Sequence, residues 1–122
     1  MNVSLKRVYA PPAPGGGRHG DGMRILVDRL WPRGVRKADA HIDLWLRDIA
    51  PSPALRTWFG HDPEKWAEFR KRYRAELAEP PAQAALAELR ALCRQGKVTL
   101  VFGARDEEHN HAVVLQRLLS HA

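Results

Sequence analysis

Several scarcities bound what this 122-residue chain can do. Cysteine is nearly missing: Cys93 stands alone, so an intrachain disulfide and a cysteine-rich metal site are both excluded. Long apolar runs are missing too. No stretch approaches the roughly 18 residues of a membrane span, and the N-terminus has no apolar signal-peptide core. A cytoplasmic protein without a membrane partner is therefore expected. Ser/His/Asp nucleophile arrangements, Cys/His metal spacings and phosphate-binding glycine fingerprints do not occur, since the GGG at 15–17 precedes no helical segment. Acidic residues are in deficit, 14 against 20 Lys and Arg.

That deficit is local. Residues 1–40 hold eight Lys/Arg against three acids, residues 41–80 seven of each, and residues 81–122 five against four. A basic field confined to the first third attracts phosphates, carboxylates or nucleic acid, or is simply a basic surface. The 44% apolar composition and the length indicate a single globular domain.

Read along the chain, VSLKRVY (3–9) alternates as a strand and MRILVD (23–28) runs as a covered one. Between them, prolines and glycines in 11–22 predict a mobile surface loop. Such a loop is a poor helical crossover, so antiparallel pairing of these two strands is open. Trp31 before Pro32 leaves helical geometry, and Pro32-Arg33-Gly34 fits a type I turn. IDLWLRDI (42–49) leans towards a strand or extended segment, with a short helix as the alternative. Ser52 and Pro53 open a helix that Gly60 stops, and Asp62 and Pro63 open another over 62–77. In the latter, Trp66, Phe69, Tyr73 and Leu77 fall on one core-facing stripe, which leaves RKRYR (70–74) mostly solvated. A helix over 82–95 turns Leu86, Leu89 and Cys93 inward. KVTLVFGA (97–104) is the clearest strand, and 107–121 reads as a closing helix. Alternating strands and helices predict a small three-layer, Rossmann-like α/β fold. Its mainly parallel sheet of three or four strands would be flanked by about four helices.

In such sheets ligands bind beyond the carboxyl ends of the strands. The second strand delivers Asp28, Arg29, Trp31 and Arg33 there; the last delivers Arg105, Asp106, Glu107, Glu108, His109, Asn110 and His111. If these strands are parallel neighbours, both sets meet at one edge. Arginines suit a bidentate grip on carboxylate or phosphate, and Trp31 offers a stacking face. Asp28, His109 and His111 are the acid–base candidates; Arg29, Trp31, Arg33, Arg105, Asp106 and Asn110 are the ligand-binding ones. Each has a plainer role to weigh. Asp106 is placed to cap the last helix, with Glu107 and Glu108 favouring its dipole. Asp28 with Arg105, or Arg29 with Asp106, could pair as edge ion pairs, and His111 beside Leu118 could be a core-edge histidine. A metal on Asp106, His109 and His111, perhaps with Asp28, is disfavoured, because two histidines two residues apart on a helix diverge by about 200°.

KRVY (6–9), DGMRILVDRLWPRG (21–34), LRDIAPSPALRTWFGHDPEKWAEF (46–69) and ARDEEHNHAVVL (104–115) together resemble the YeaO-like branch of domain of unknown function 488, nearly end to end. The resemblance implies a small α/β protein and supplies no activity or cofactor. In the longer branch a strand ending Asp-x-Arg pairs with a terminal strand carrying a Glu/Cys-His-Arg-like segment. VDR (27–29) resembles the first; RDEEHNH (105–111) resembles the second only loosely and lacks its cysteine and arginine, which argues against thiol chemistry. The helix that the resemblance places between the first two strands has no counterpart in the sequence pattern here.

Three readings follow. One is a domain that binds or acts on a small anion, phosphorylated or nucleotide-like. Another is a protein-interaction or scaffold domain. The third is a nucleic-acid-binding module in which Lys6, Arg7, Arg18, Arg24, Arg36 and Lys37 touch phosphates, although no recognised nucleic-acid motif is present. Neither the oligomeric state nor the presence of catalysis is legible.

Overall fold

The computed structural model describes residues 2–11 and 20–120. Four parallel strands, β1 (Val3–Arg7), β2 (Met23–Leu26), β3 (Leu44–Trp45) and β4 (Val98–Phe102), form one sheet in the order β1-β4-β2-β3. The last strand in sequence thus lies between the first two. Leu100 pairs with Leu5 on one side and with Ile25 on the other, and every residue of β4 is buried. A strand wrapped on all sides must be apolar throughout, which is why 98–102 reads so clearly.

β1 and β2 do not pair with each other, in either sense. Each pairs parallel with β4, so antiparallel pairing gives way. The segment joining them need only reach two places along the sheet; most of it, including the 12–19 part of the expected mobile loop, lies outside the described residues.

Strand side chains alternate between faces. Val98, Leu100 and Phe102 join Val3, Ile25 and Val27 in the larger core, while Val101 joins Val8, Leu26 and Ala40 in a smaller one on the opposite face. The larger core is covered by α2 (Pro53–Phe59), α3 (Trp66–Leu77), α4 (Ala82–Gln95) and α5 (His111–Ser120). On the opposite face lie the four-residue α1 (Lys37–Ala40) and loop residues Trp31, Val35 and Ile42. Among the described residues, no helix is long and apolar enough to cross a membrane.

Most helix signals lie where the side chains put them. The Ser52 hydroxyl accepts from Leu55 N, and Gly60 ends α2 at φ 52°. Asp62 caps a 3-10 turn, Pro63–Lys65, ahead of α3. Phe69, Tyr73 and Leu77 are buried, with Trp66 partly so, and α4 buries Leu86, Leu89 and Cys93. Two segments differ from expectation. Residues 42–49 divide into the two-residue β3 and a 3-10 turn, Arg47–Ile49, so extended and helical tendencies share the segment. The turn at Pro32–Val35 has Gly34 at φ 74°, which belongs to type II rather than type I.

Candidate functional site

The site begins where β2 and β4 end side by side. Val27 N donates to Val101 O at 3.1 Å, continuing the ladder one residue past β2. Asp28 then ties the strand ends together: its Oδ2 accepts Gly103 N at 2.9 Å, and its carbonyl accepts Trp45 Nε1 at 2.7 Å. A Cβ on Gly103 would lie 3.0 Å from Asp28 Oδ2, so a side chain there would crowd this link.

After Gly103 the chain does not enter a helix directly. Asp106 Oδ1 accepts Glu108 N and His109 N at 2.9 and 3.0 Å, and its Oδ2 meets His109 Nδ1 at 2.9 Å. An aspartate that gathers the next amides around itself makes a turn that competes with helix formation. The helix therefore opens at His111, not near 107. Its cap is Asn110, whose Oδ1 accepts Val113 N while its Nδ2 donates to Asp106 O. Asp106 caps the turn, and Glu107 and Glu108 are exposed outside the helix. The Glu108 amide, followed by the His109 side chain and amide, holds the Asp106 carboxyl below its ordinary value.

Because the helix opens late, only His111 is helical, and the 200° divergence of the two histidines does not apply. His111 Nε2 lies 3.0 Å from Val27 O and 3.1 Å from Asp28 Oδ1. A carbonyl only accepts, so Nε2 carries the proton and donates to Val27; Asp28 Oδ1, although near, is buried without a hydrogen bond among the described residues. His109, with Nδ1 likewise donating to a carboxylate, stands edge-on to Trp66 at 5.3 Å. Behind His111 lies Tyr73, whose hydroxyl donates to Ile49 O and whose burial pushes its ionisation well up. Among the described residues no group of three or more His, Cys, Asp or Glu is placed to hold a metal ion.

The two strand ends border one cleft of about 640 Å³, within the range of small-molecule sites. Asp28, Arg29, Trp31, Arg33, Arg105, Asp106, His109, Asn110 and His111 all line it. Their states differ. Arg29 donates to Ala50 O and Pro51 O, at 3.1 and 3.4 Å. Arg33 and Arg105 are exposed, with no side-chain partner among the described residues. Trp31 spends its N–H on Val35 O and packs edge-on against Trp45 in the smaller core, so only part of its ring is left for the cleft. Asn110 is buried with both ends of its amide engaged. Neither expected edge pair forms: Asp28 meets Gly103 and His111 rather than Arg105, and Asp106 meets His109 rather than Arg29.

The cleft also recruits residues that no strand-end rule could name. Arg56 arrives from α2, Phe59 and His61 from its end, Phe69 from α3, and Tyr9 from the loop after β1. Leu30, between Arg29 and Trp31, is the most exposed large apolar side chain among the described residues, at 65%. A leucine between Arg29 and Trp31 just past a strand end, with no helical or strand period to turn it inward, was the one available signal.

Residues 2–122 match the family model described as the inactive DUF488-N3 subclade. An uncharacterised protein of Mycobacterium tuberculosis (strain H37Rv) is 45% identical over 118 residues, covering 97% of this chain and 93% of that one. The uncharacterised protein YeaO of Escherichia coli K12 is 41% identical over 115 residues, covering 94% of each. No solved structure matches the chain. From its second residue to its last, then, this chain belongs to the inactive DUF488-N3 subclade of domain of unknown function 488.

Proposed function

We propose that the protein binds a small anionic molecule, phosphorylated or nucleotide-like, in the cleft beyond β2 and β4. The observation that carries this reading is the charge of the lining. Four arginines, Arg29, Arg33, Arg56 and Arg105, face two aspartates, Asp28 and Asp106. The side chains of Arg33, Arg56 and Arg105 are unpaired among the described residues. Guanidinium groups with spare donors around a concave site are suited to a bidentate hold on phosphate or carboxylate.

Binding without turnover is the form we favour. The subclade is described as inactive, and the lone thiol, Cys93, is buried on α4, far from ionising at neutral pH because burial raises its pKa. Asp28, His109 and His111 then shape and polarise the inner wall. The same description also favours an interaction domain with no small ligand, which the experiment below separates. The nucleic-acid reading loses part of its surface. Arg24 is buried and fully engaged, Lys6 is paired with Asp21, and Arg7 donates to Gly103 and Ala104 carbonyls. Arg36 and Lys37 are exposed; Arg18 lies outside the described residues.

The test is a thermal-shift series with phosphate, sulfate and nucleoside monophosphates on the native protein and on an Arg33→Ala, Arg105→Ala double variant. A ligand at a hundredfold excess over its Kd stabilises by about 2.7 kcal/mol. We expect stabilisation by at least one of these anions and its loss in the variant. No shift by any of them would leave the interaction-domain reading in its place.

A further inference from the structure

Resting on that reading, we infer that the ligand is an organic phosphate or carboxylate with an apolar, ring-sized body. The anion would sit on the arginines and the body against the Tyr9–Leu30 side of the cleft. Size speaks first. At roughly 30 Å³ per water, the cleft holds about twenty waters' worth of space, which a bare phosphate would leave mostly unfilled.

Exposure speaks second and independently. Among the described residues, the exposed large hydrophobic side chains are Tyr9 at 50% and Leu30 at 65%, and both line this cleft. A single exposed leucine is ordinary; two large apolar side chains exposed at the lip of a charged concavity are a surface waiting for apolar cover. The floor continues the character, with Phe59 and Phe69 stacked at 4.3 Å beneath it. Tyr9 is also held in place: its hydroxyl donates to Arg33 O at 3.0 Å, and the Arg7 guanidinium lies over its ring at 4.9 Å. That tie couples the apolar lip to the backbone of one of the unpaired arginines. A small molecule is the occupant we commit to, because the arginines converge on a cleft of ligand size rather than spreading over a flat face.

Isothermal titration with inorganic phosphate, glycerol phosphate and phenyl phosphate tests this. Burying roughly 55 Å² of apolar surface is worth a factor of about ten in affinity, so phenyl phosphate should bind about tenfold tighter than either of the others. In Leu30→Ser, whose side chain is largely in solvent and carries no part of the core, the advantage of phenyl over inorganic phosphate should shrink by about threefold or more. Equal affinity for the three compounds, or tighter binding of glycerol phosphate, overturns the apolar body while leaving the anion site standing. An undiminished phenyl advantage in Leu30→Ser overturns the placement. Absence of binding by all three removes both this inference and the anion site on which it rests.

Discussion

Residues 21–34 contain three arginines in two environments, and the difference between them separates a strut from a grip. At the start of β2, Arg24 is 1% exposed. Its guanidinium is consumed by Asp21, His41 O and Ala40 O, and its own amide donates to Asp43 Oδ2. Lys6 adds a second cation to Asp21. At the far end of the same segment, the Arg29 side chain is half engaged and that of Arg33 has no partner among the described residues. Burial demands that every donor be used; an arginine left with donors at a concave surface has them for something else.

The largest effect that would probe this contrast is at the buried end. Arg24→Ala removes the guanidinium shared by Asp21 and the Ala40 and His41 carbonyls and should cost about 3–5 kcal/mol, read by urea denaturation; a loss under 1 kcal/mol would mean the cluster is not a strut. Next comes Gly22→Ala. At φ 70° and against the Lys97 carbonyl, a Cβ has neither the backbone region nor the room, so a loss of about 2 kcal/mol or more is expected. Arg29→Ala is intermediate, at about 1–2 kcal/mol for its two carbonyl bonds. Arg33→Ala and Arg105→Ala should each stay within about 0.5 kcal/mol of the native stability while abolishing the thermal shift by anions. A large destabilisation there would erase the contrast altogether.

The smallest effect is a pH dependence. Because the folded Asp106 carboxyl is held below its ordinary value of 3.8, its contribution is complete above that value and fades as pH falls below it. Asp106→Asn should therefore be less stable than the native protein near neutrality, with the gap closing as the pH drops below 3.8. A gap constant across that range would assign Asp106 no electrostatic part in the turn.

Legibility followed the same division. β4, the caps at Ser52 and Asp62 and the stripe through Phe69, Tyr73 and Leu77 were visible because each is a local pattern with one structural solution. The meeting of Asp28 with the 105–111 segment could be anticipated from the rule for parallel sheets, given neighbouring strands. The start of α5 could not: Asp106 and Asn110 are both good caps, and only the geometry decides that the first makes a turn and the second the helix. Arg24 looked like any surface cation, since its partners come from a turn, a loop and a helix end. Arg56 and Phe59 reach the cleft across the fold, which no neighbouring residue encodes.

The position of β4 has a consequence for how the molecule is made. β1 hydrogen-bonds, as a strand, to β4 and to no other described strand, so its partner is about ninety residues further on. During synthesis β1 leaves the ribosome well before β4 and must wait for it, and contacts of such long sequence separation form slowly. A nascent chain stopped short of Val98 has β2 and β3 to pair but leaves the first strand an unpaired edge, open to chaperones or to other chains.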